Sequence, residues 1–501
     1  MTGDRLLARN TLVNLAGLVL PLAVAVVAIP LLVHGMGDAR FGVLALAWST
    51  IGYFGLFDLG LGRALTQAIA TRLDGSSDRD LAATTWTALA SIAALGVVGG
   101  VLLAAVTPQL VERVLKIPDA LHDESIVAFY LLALALPATL ATSGFRGILE
   151  AHQDFGIATA LRVPLGAFNF LGPLVVLRFS SSLAPMLAVL VAGRVVGCAL
   201  HFVVCRRRYP FLRAPVRLDR ALVGPLVKTG GWMTVSNIIS PLMVNGDRFV
   251  IGSLLSVAAV AYYVTPFEVV TKLWLIPGAV LGVLFPAFAS SFASDPTRTA
   301  TLVDRAVRVM IVMVFPISFA LVALGREGLT LWMGAAFAHE STAVLQWLAI
   351  AVLINCVGYV PFTALQAIGR SDLTAKVHLL ELPVYAVAIW WLTQRFGLAG
   401  VAVAWTLRVT IDTTLLLVLT ARPLATTRRE LARSMRVFAA LLACLGIAAT
   451  LPSTTARVIF FVAGLAVFLP MSWLWLLRPP ERNALRRYLG LGTMRSENVT
   501  F

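Results

Sequence analysis

Charge is scarce in this chain: Asp, Glu, Lys and Arg make up only 13% of its 501 residues, about half the share of an ordinary soluble domain. The charge that remains leans to one sign, with 40 Lys and Arg against 25 Asp and Glu. A net +15 would suit nucleic acid, but a chain 59% hydrophobic with a mean hydropathy of +0.88 is too apolar for a soluble nucleic-acid binder. Cysteine is nearly missing. The four present, Cys198, Cys205, Cys356 and Cys444, all fall inside apolar runs, which argues against a disulfide framework. Cys198, His201 and Cys205 share a helical face, yet packing accounts for them better than a metal does. No G-x-x-x-x-G-K-[ST] phosphate loop occurs, so the chain itself should not hydrolyse ATP. Nor is there a large acidic loop for a membrane glycosyltransferase or polymerase. The nearest approach, Asp119 to Glu124, sits at a helix start, where acids are favoured anyway. The expectation is no enzyme and no cofactor, apart from a coupling ion, H+ or Na+.

What the chain does have is long apolar runs separated by gaps that are alternately rich and poor in Lys and Arg. Fourteen spans are predicted, near 10–33, 42–71, 81–106, 125–149, 157–178, 183–205, 228–253, 257–288, 303–325, 342–368, 373–394, 398–420, 434–451 and 456–477. With both termini inside, and with residues near a span end counted in the adjoining gap, 28 of the 40 basic residues go to inner gaps and 8 to outer ones, while Arg63, Arg194, Lys272 and Arg408 lie well within spans. Shifting one span would invert every later gap, so an even count is required. The first apolar run is too long for a signal-peptide core and is expected to stay as a span. The fold class is all-α and polytopic, in a bacterial inner membrane, with both ends cytoplasmic.

The division expected is an N-lobe over 1–205, a basic linker over 206–227, a C-lobe over 228–421, two extra spans in 422–478 and a cytoplasmic tail over 479–501. The linker's RRRYPFLRAPVRLDR is dense in Arg and Pro. The lobes read as repeats of six spans. Displaced by 219, the turn Met36–Gly42 falls on Leu255–Ala261; displaced by 216, Leu149–Asp154 falls on Leu365–Arg370. Two parallel repeats can enclose a cavity whose access alternates as they rock, which makes transport the leading function class.

Specific motifs sharpen this. Gly35 to Leu65 carries GMGDARFGVLALAWS and FGLFDLGLGRAL; later come GGWMTVSNI, then Gly246-Asp247-Arg248-Phe249-Val250-Ile251-Gly252, Val260-Ala261-Tyr262-Tyr263 with Pro266, and Leu365-Gln366-Ala367-Ile368-Gly369-Arg370. Over about residues 9–420 the chain resembles Wzx-type polysaccharide flippases of the multidrug/oligosaccharidyl-lipid/polysaccharide exporter superfamily. The resemblance implies two six-helix lobes in a V around a central cavity. It also implies movement of undecaprenyl-pyrophosphate-linked oligosaccharide, an O-antigen or exopolysaccharide unit, from inner to outer leaflet. A polysaccharide polymerase and chain-length machinery are the implied partners, beside the lipid itself. A cation-coupled multidrug exporter or a peptidoglycan-precursor flippase of the same superfamily are the alternatives.

A pyrophosphate headgroup brings about two negative charges, which hydrocarbon will not accept without counter-charges. Intramembrane cations are therefore the binding candidates. Arg194 stands mid-span with no acid in its own helix, among small residues. Arg63 follows Asp58 by five residues, only loosely alongside. Arg248 adjoins Asp247 but points about 100° away. Arg146, Lys272 and Arg408 each have an acid four residues off, Glu150, Glu268 and Asp412, and such pairs neutralise one another. For ion coupling the candidates are Glu268, Asp58, Asp412 and Glu381, the last read as an acid without a partner in its span, next to Pro383.

Overall fold

A computed structural model describes residues 3–54, 78–152, 154–219, 242–421 and 428–476, with single positions at 62, 65, 66, 69, 221, 224 and 482. Among these the chain is helical throughout. Ten stretches are long and apolar enough to cross a membrane, as expected of a multi-pass membrane protein.

The chain divides into two compact units, residues 1–265 with 386–401, and residues 266–385 with 402–501. The first contains α1 (Gly3–Met36), α2 (Asp38–Phe54), α3 (Asp78–Gln109), α4 (His122–Ala151), α5 (Phe155–Leu177), α6 (Leu183–Arg208) and α7 (Asp247–Leu254). Here α3 packs on α4, α4 on α6 and α1 on α5. Small residues permit the approach of α3 to α4: a Cβ at Gly96 would meet the Pro137 backbone, and one at Gly100 the Ala133 carbonyl.

At the basic-rich end of this unit, Leu81, Leu89, Phe145, Ile148 and Leu149 form a core. The start of the Arg-rich segment joins it. Tyr209, Phe211 and Leu212 are buried there, and His152, Tyr209 and Phe211 stack as three rings. So this segment begins as a folded strap, with a 3-10 turn over Pro210–Arg213. Asp154 anchors it, accepting from the Tyr209 hydroxyl at 2.7 Å and from Arg208 at 3.3 Å. Burial favours the neutral Asp154 carboxyl, but these two donors outweigh it and hold it below the usual Asp range. Its contribution to stability is present above that usual range and fades as pH falls through the lowered value.

Beyond α7 come α8 (Val257–Thr271), a 3-10 turn at Lys272–Trp274, α9 (Leu275–Ser294), α10 (Pro296–Met333), α11 (Ala335–Ala367), α12 (Ser371–Ala421), α13 (Arg428–Thr450) and α14 (Thr454–Met471). Although α12 is unbroken by hydrogen-bond pattern, Gly397 at φ 58°, ψ −137° reverses the chain and makes two arms of it. These match the two spans expected over 373–394 and 398–420. Within the second unit α10 packs on α11, and Thr406, Thr413 and Thr420 each reach a carbonyl of α11, those of Trp347, Ile354 and Pro361.

One of the two pairs of turns read as repeated shares its backbone bonds. Asp154 N donates to Leu149 O at 2.9 Å and Arg370 N to Leu365 O at 2.8 Å; His152 N donates to Ile148 O and Ile368 N to Ala364 O. The 216-residue displacement thus relates two identical helix endings, in which a sixth residue returns to the first. The other pair of turns slips by one: a single residue, Gly37 at φ 81°, joins α1 to α2, whereas Leu255 and Ser256 join α7 to α8. Glycine in the left-handed region reverses the chain in one step.

The two extra helices lie along α10. At one end Asp304 pairs with Arg308, both buried, and accepts from Ser434 of α13 at 2.9 Å. At the other, Arg457 of α14 meets Glu327 at 3.0 Å, and Thr454 donates to the same carboxylate at 2.8 Å. Between these ends Phe315 packs on Phe468, and Phe319 on Phe460 and Phe461, in tilted or edge-to-face contacts. Arg308 and Arg457, counted in the sequence with the gaps, are therefore buried helix residues, Arg308 within α10 and Arg457 in the first turn of α14, each meeting a carboxylate of α10. Asp304→Ala should lower the stability of the detergent-solubilised protein by about 3–5 kcal/mol, since it removes a buried carboxylate that meets Arg308 and ties α10 to Ser434 of α13. Thermal unfolding followed by Trp fluorescence measures this; a loss under about 1 kcal/mol would show the α10–α13 tie to be unimportant.

Candidate functional site

Arg194 lies near the middle of α6, half-buried, and its guanidinium donates to Asn169 Oδ1 of α5 at 2.9 Å. No Asp or Glu lies within ion-pair distance of it among the described residues. Gly193 lets Phe168 of α5 close against the α6 backbone beside it. A cation is thus held in a span by a neutral amide alone. Asn can orient a guanidinium without neutralising it, so donors remain for an anion.

Other sequence candidates are committed elsewhere. Lys272 pairs with Glu268 at 2.8 Å, and Arg146 with Glu150 at 3.4 Å, each the expected i,i+4 contact and each half-exposed. Arg248 is buried and donates to Ser49 Oγ of α2 at 2.6 Å; its neighbour Asp247 accepts from the Tyr263 hydroxyl of α8 and from the Arg248 backbone. Arg63 and Asp58 lie outside the described residues. His201 bonds the Gly197 carbonyl and Cys205 the Phe145 carbonyl. No group of three or more His, Cys, Asp or Glu side chains is placed to hold a metal ion among the described residues.

The densest polar cluster lies between the arms of α12. On the first arm His378, Glu381 and Tyr385 fall at i, i+3 and i+7, one helical face. On the second, Trp405, Arg408 and Asp412 repeat that spacing. The reversal at Gly397 brings the faces together: Arg408 meets Glu381 at 3.5 Å and His378 meets Asp412 at 3.5 Å, all four at most 7% exposed. This corrects two sequence expectations. Arg408 pairs across the hairpin instead of with Asp412, four residues on, and Glu381 is not alone. A helical i,i+4 contact is worth only about 0.2–0.5 kcal/mol, so a buried cross-arm partner easily displaces it. From α11, Phe362 stacks on His378 at 5.9 Å, and Tyr359 lies within electrostatic reach of Arg408 and Asp412. His378 escaped the sequence reading, which followed formally charged residues; its place three before Glu381 was the available signal.

The sequence over residues 7–292 matches the family described as "Polysaccharide biosynthesis protein". A putative O-antigen transporter of Shigella flexneri is 31% identical over 411 residues, 81% of this chain and 96% of that protein. Two solved structures share the fold. An inward-facing MATE-family multidrug transporter of the MOP superfamily gives a TM-score of 0.70 at 12% identity, covering 84% of this chain and 99% of its own. The lipid II flippase MurJ in an inward closed conformation gives 0.69 at 11%, covering 96% and 99%. With a family signature through more than half its length and a relative matching nearly end to end, the chain belongs to the polysaccharide biosynthesis protein family.

Proposed function

We propose that the protein is a flippase that carries undecaprenyl-pyrophosphate-linked oligosaccharide from the inner to the outer leaflet of a bacterial cytoplasmic membrane. It works by alternating access coupled to H+ or Na+, with both termini cytoplasmic. The carrying observation is Arg194, a cation inside a span balanced by Asn169 and by no described carboxylate. Pyrophosphate requires such a group, and the guanidinium fork matches phosphate oxygens in two-point contact. The O-antigen transporter from Shigella supports the substrate class.

A multidrug exporter of the same fold would present carboxylates without counter-charges to cationic drugs. Here Glu268, Glu381 and Asp412 each face a basic partner, while Arg194 meets no carboxylate among the described residues. That asymmetry favours an anionic cargo. Polymerase and chain-length proteins are the natural acceptors of the flipped unit.

Deletion of the gene tests this reading. Surface polysaccharide should disappear and the lipid-linked repeat unit should accumulate on the inner leaflet, both restored by the intact chain. Normal surface polysaccharide in the deletion strain would refute the function.

A further inference from the structure

We propose that the coupling ion is a proton, carried between the Glu381 and Asp412 carboxyls, with Arg408 as the fixed counter-charge that keeps metal cations out and His378 as the group that hands the proton on. This rests on the transport reading above and makes one choice within it.

Glu381 and Asp412 are each 5% exposed and their carboxyls face one another. Neither Glu381 oxygen nor Asp412 Oδ1 makes a hydrogen bond; Arg408 Nε and His378 Nε2 stand 3.5 Å from Glu381 Oε2 and Asp412 Oδ1, at ion-pair range only. Two buried carboxyl groups whose oxygens complete no hydrogen bond, with one guanidinium between two acids, leave room for one proton. A proton suffices, since it turns one acceptor into a donor and completes a hydrogen bond. A hard metal ion asks for roughly six or more oxygen ligands. The surroundings offer instead the Arg408 guanidinium, 3.5 Å from Glu381, an imidazole 3.5 Å from Asp412, and the stacked ring of Phe362. Placing Na+ beside a permanent guanidinium sets two cations together inside a buried site.

The charges agree. Among the described residues, the groups at this point are Cys356 and Tyr359 from α11, and His378, Glu381, Tyr385, Arg408 and Asp412 from the arms of α12. With one proton on the carboxyl pair, a neutral imidazole and Arg408 charged, the sum is zero. Transfer of that proton from Asp412 to His378 leaves two carboxylates, an imidazolium and a guanidinium, again zero. The proton therefore moves within the cluster without creating net charge in the membrane. His378 is seven residues from Ser371, where α12 begins at the basic-rich end, so the hand-off runs toward the side expected to be cytoplasmic.

The experiment is infrared spectroscopy of the full-length protein in lipid nanodiscs, titrated in pH with NaCl or choline chloride at equal ionic strength. The expected result is a protonated-carboxyl band that titrates, is lost in both Glu381→Gln and Asp412→Asn, and is the same in either salt. In the deletion strain, export by Glu381→Gln should fall at least tenfold. A band that NaCl removes at fixed pH would show that Na+ competes for the pair and would overturn the proposal; that comparison needs no variant. Absence of the band at every pH, or wild-type export by Glu381→Gln, would overturn it equally. Failure of the flippase reading is separable, because normal polysaccharide in the deletion strain leaves the titrating band where it is.

Discussion

Arg194→Ala is expected to reduce surface polysaccharide at least tenfold while leaving the protein inserted at wild-type level. A hydrogen bond to a charged group contributes about 1.5–3 kcal/mol, and every 1.4 kcal/mol is about a factor of ten. Loss of one such contact at the point where pyrophosphate crosses hydrocarbon therefore gives at least a tenfold decrease. Arg194→Lys keeps the charge but loses the fork, so intermediate export is expected. The sharper variant is Asn169→Asp. It retains the guanidinium and sets a carboxylate where the neutral Oδ1 now accepts at 2.9 Å. An internal ion pair would then compete with the substrate phosphates, and export should fall as far as in Arg194→Ala. Quantitative immunoblots of membranes and gel analysis of surface polysaccharide measure both quantities. Full export by Asn169→Asp would show that Arg194 does not meet an anion, and the binding assignment would collapse.

Much of the architecture was legible because lipid imposes it: a backbone without outside partners must be helical, and basic residues mark one side. The α4–α5 and α11–α12 turns were legible too, since the sequence echo at 216 residues reappears as the same pair of backbone hydrogen bonds. Local charge pairs such as Glu268–Lys272 followed from spacing alone. The Arg408–Glu381 and His378–Asp412 contacts did not, because they depend on the reversal at Gly397, whose positive φ is invisible until the chain is folded. The docking of α13 and α14 was likewise hidden. Asp304, Arg308 and Glu327 look like helix-end anchors in the sequence, and only the contacts of the two acids with Ser434 and Arg457 show them to be joints.

Gly42→Val should block export through a different route, by preventing one end of the first unit from closing. At that basic-poor end, expected to be periplasmic, the α7–α8 turn is clasped from two sides. Lys116 donates its backbone N–H to Gly252 O at 2.8 Å and its ammonium to Leu254 O at 2.6 Å, and Tyr262 donates to Asp38. Gly42 of α2 lies so close to α8 that a Cβ would fall on the Val257 carbonyl, with the Ala258 nitrogen 3.4 Å away. A side chain could swing aside, but a carbonyl at the first residue of a helix moves only if that turn unwinds. Overpacking of this kind costs about 1–3 kcal/mol, which corresponds to a shift of roughly 5- to 150-fold in the balance between closed and open forms. If substrate is loaded from the inner leaflet while this end is shut, export falls by that factor, and Gly42→Ala should lie between wild type and Gly42→Val. A cysteine at Ser256 in the α7–α8 turn reports the state directly: its labelling by a membrane-impermeant maleimide in whole cells should rise in Gly42→Val. Unchanged labelling together with wild-type export would mean that the clasp closes without needing glycine there, and the steric account of the outer gate would be wrong.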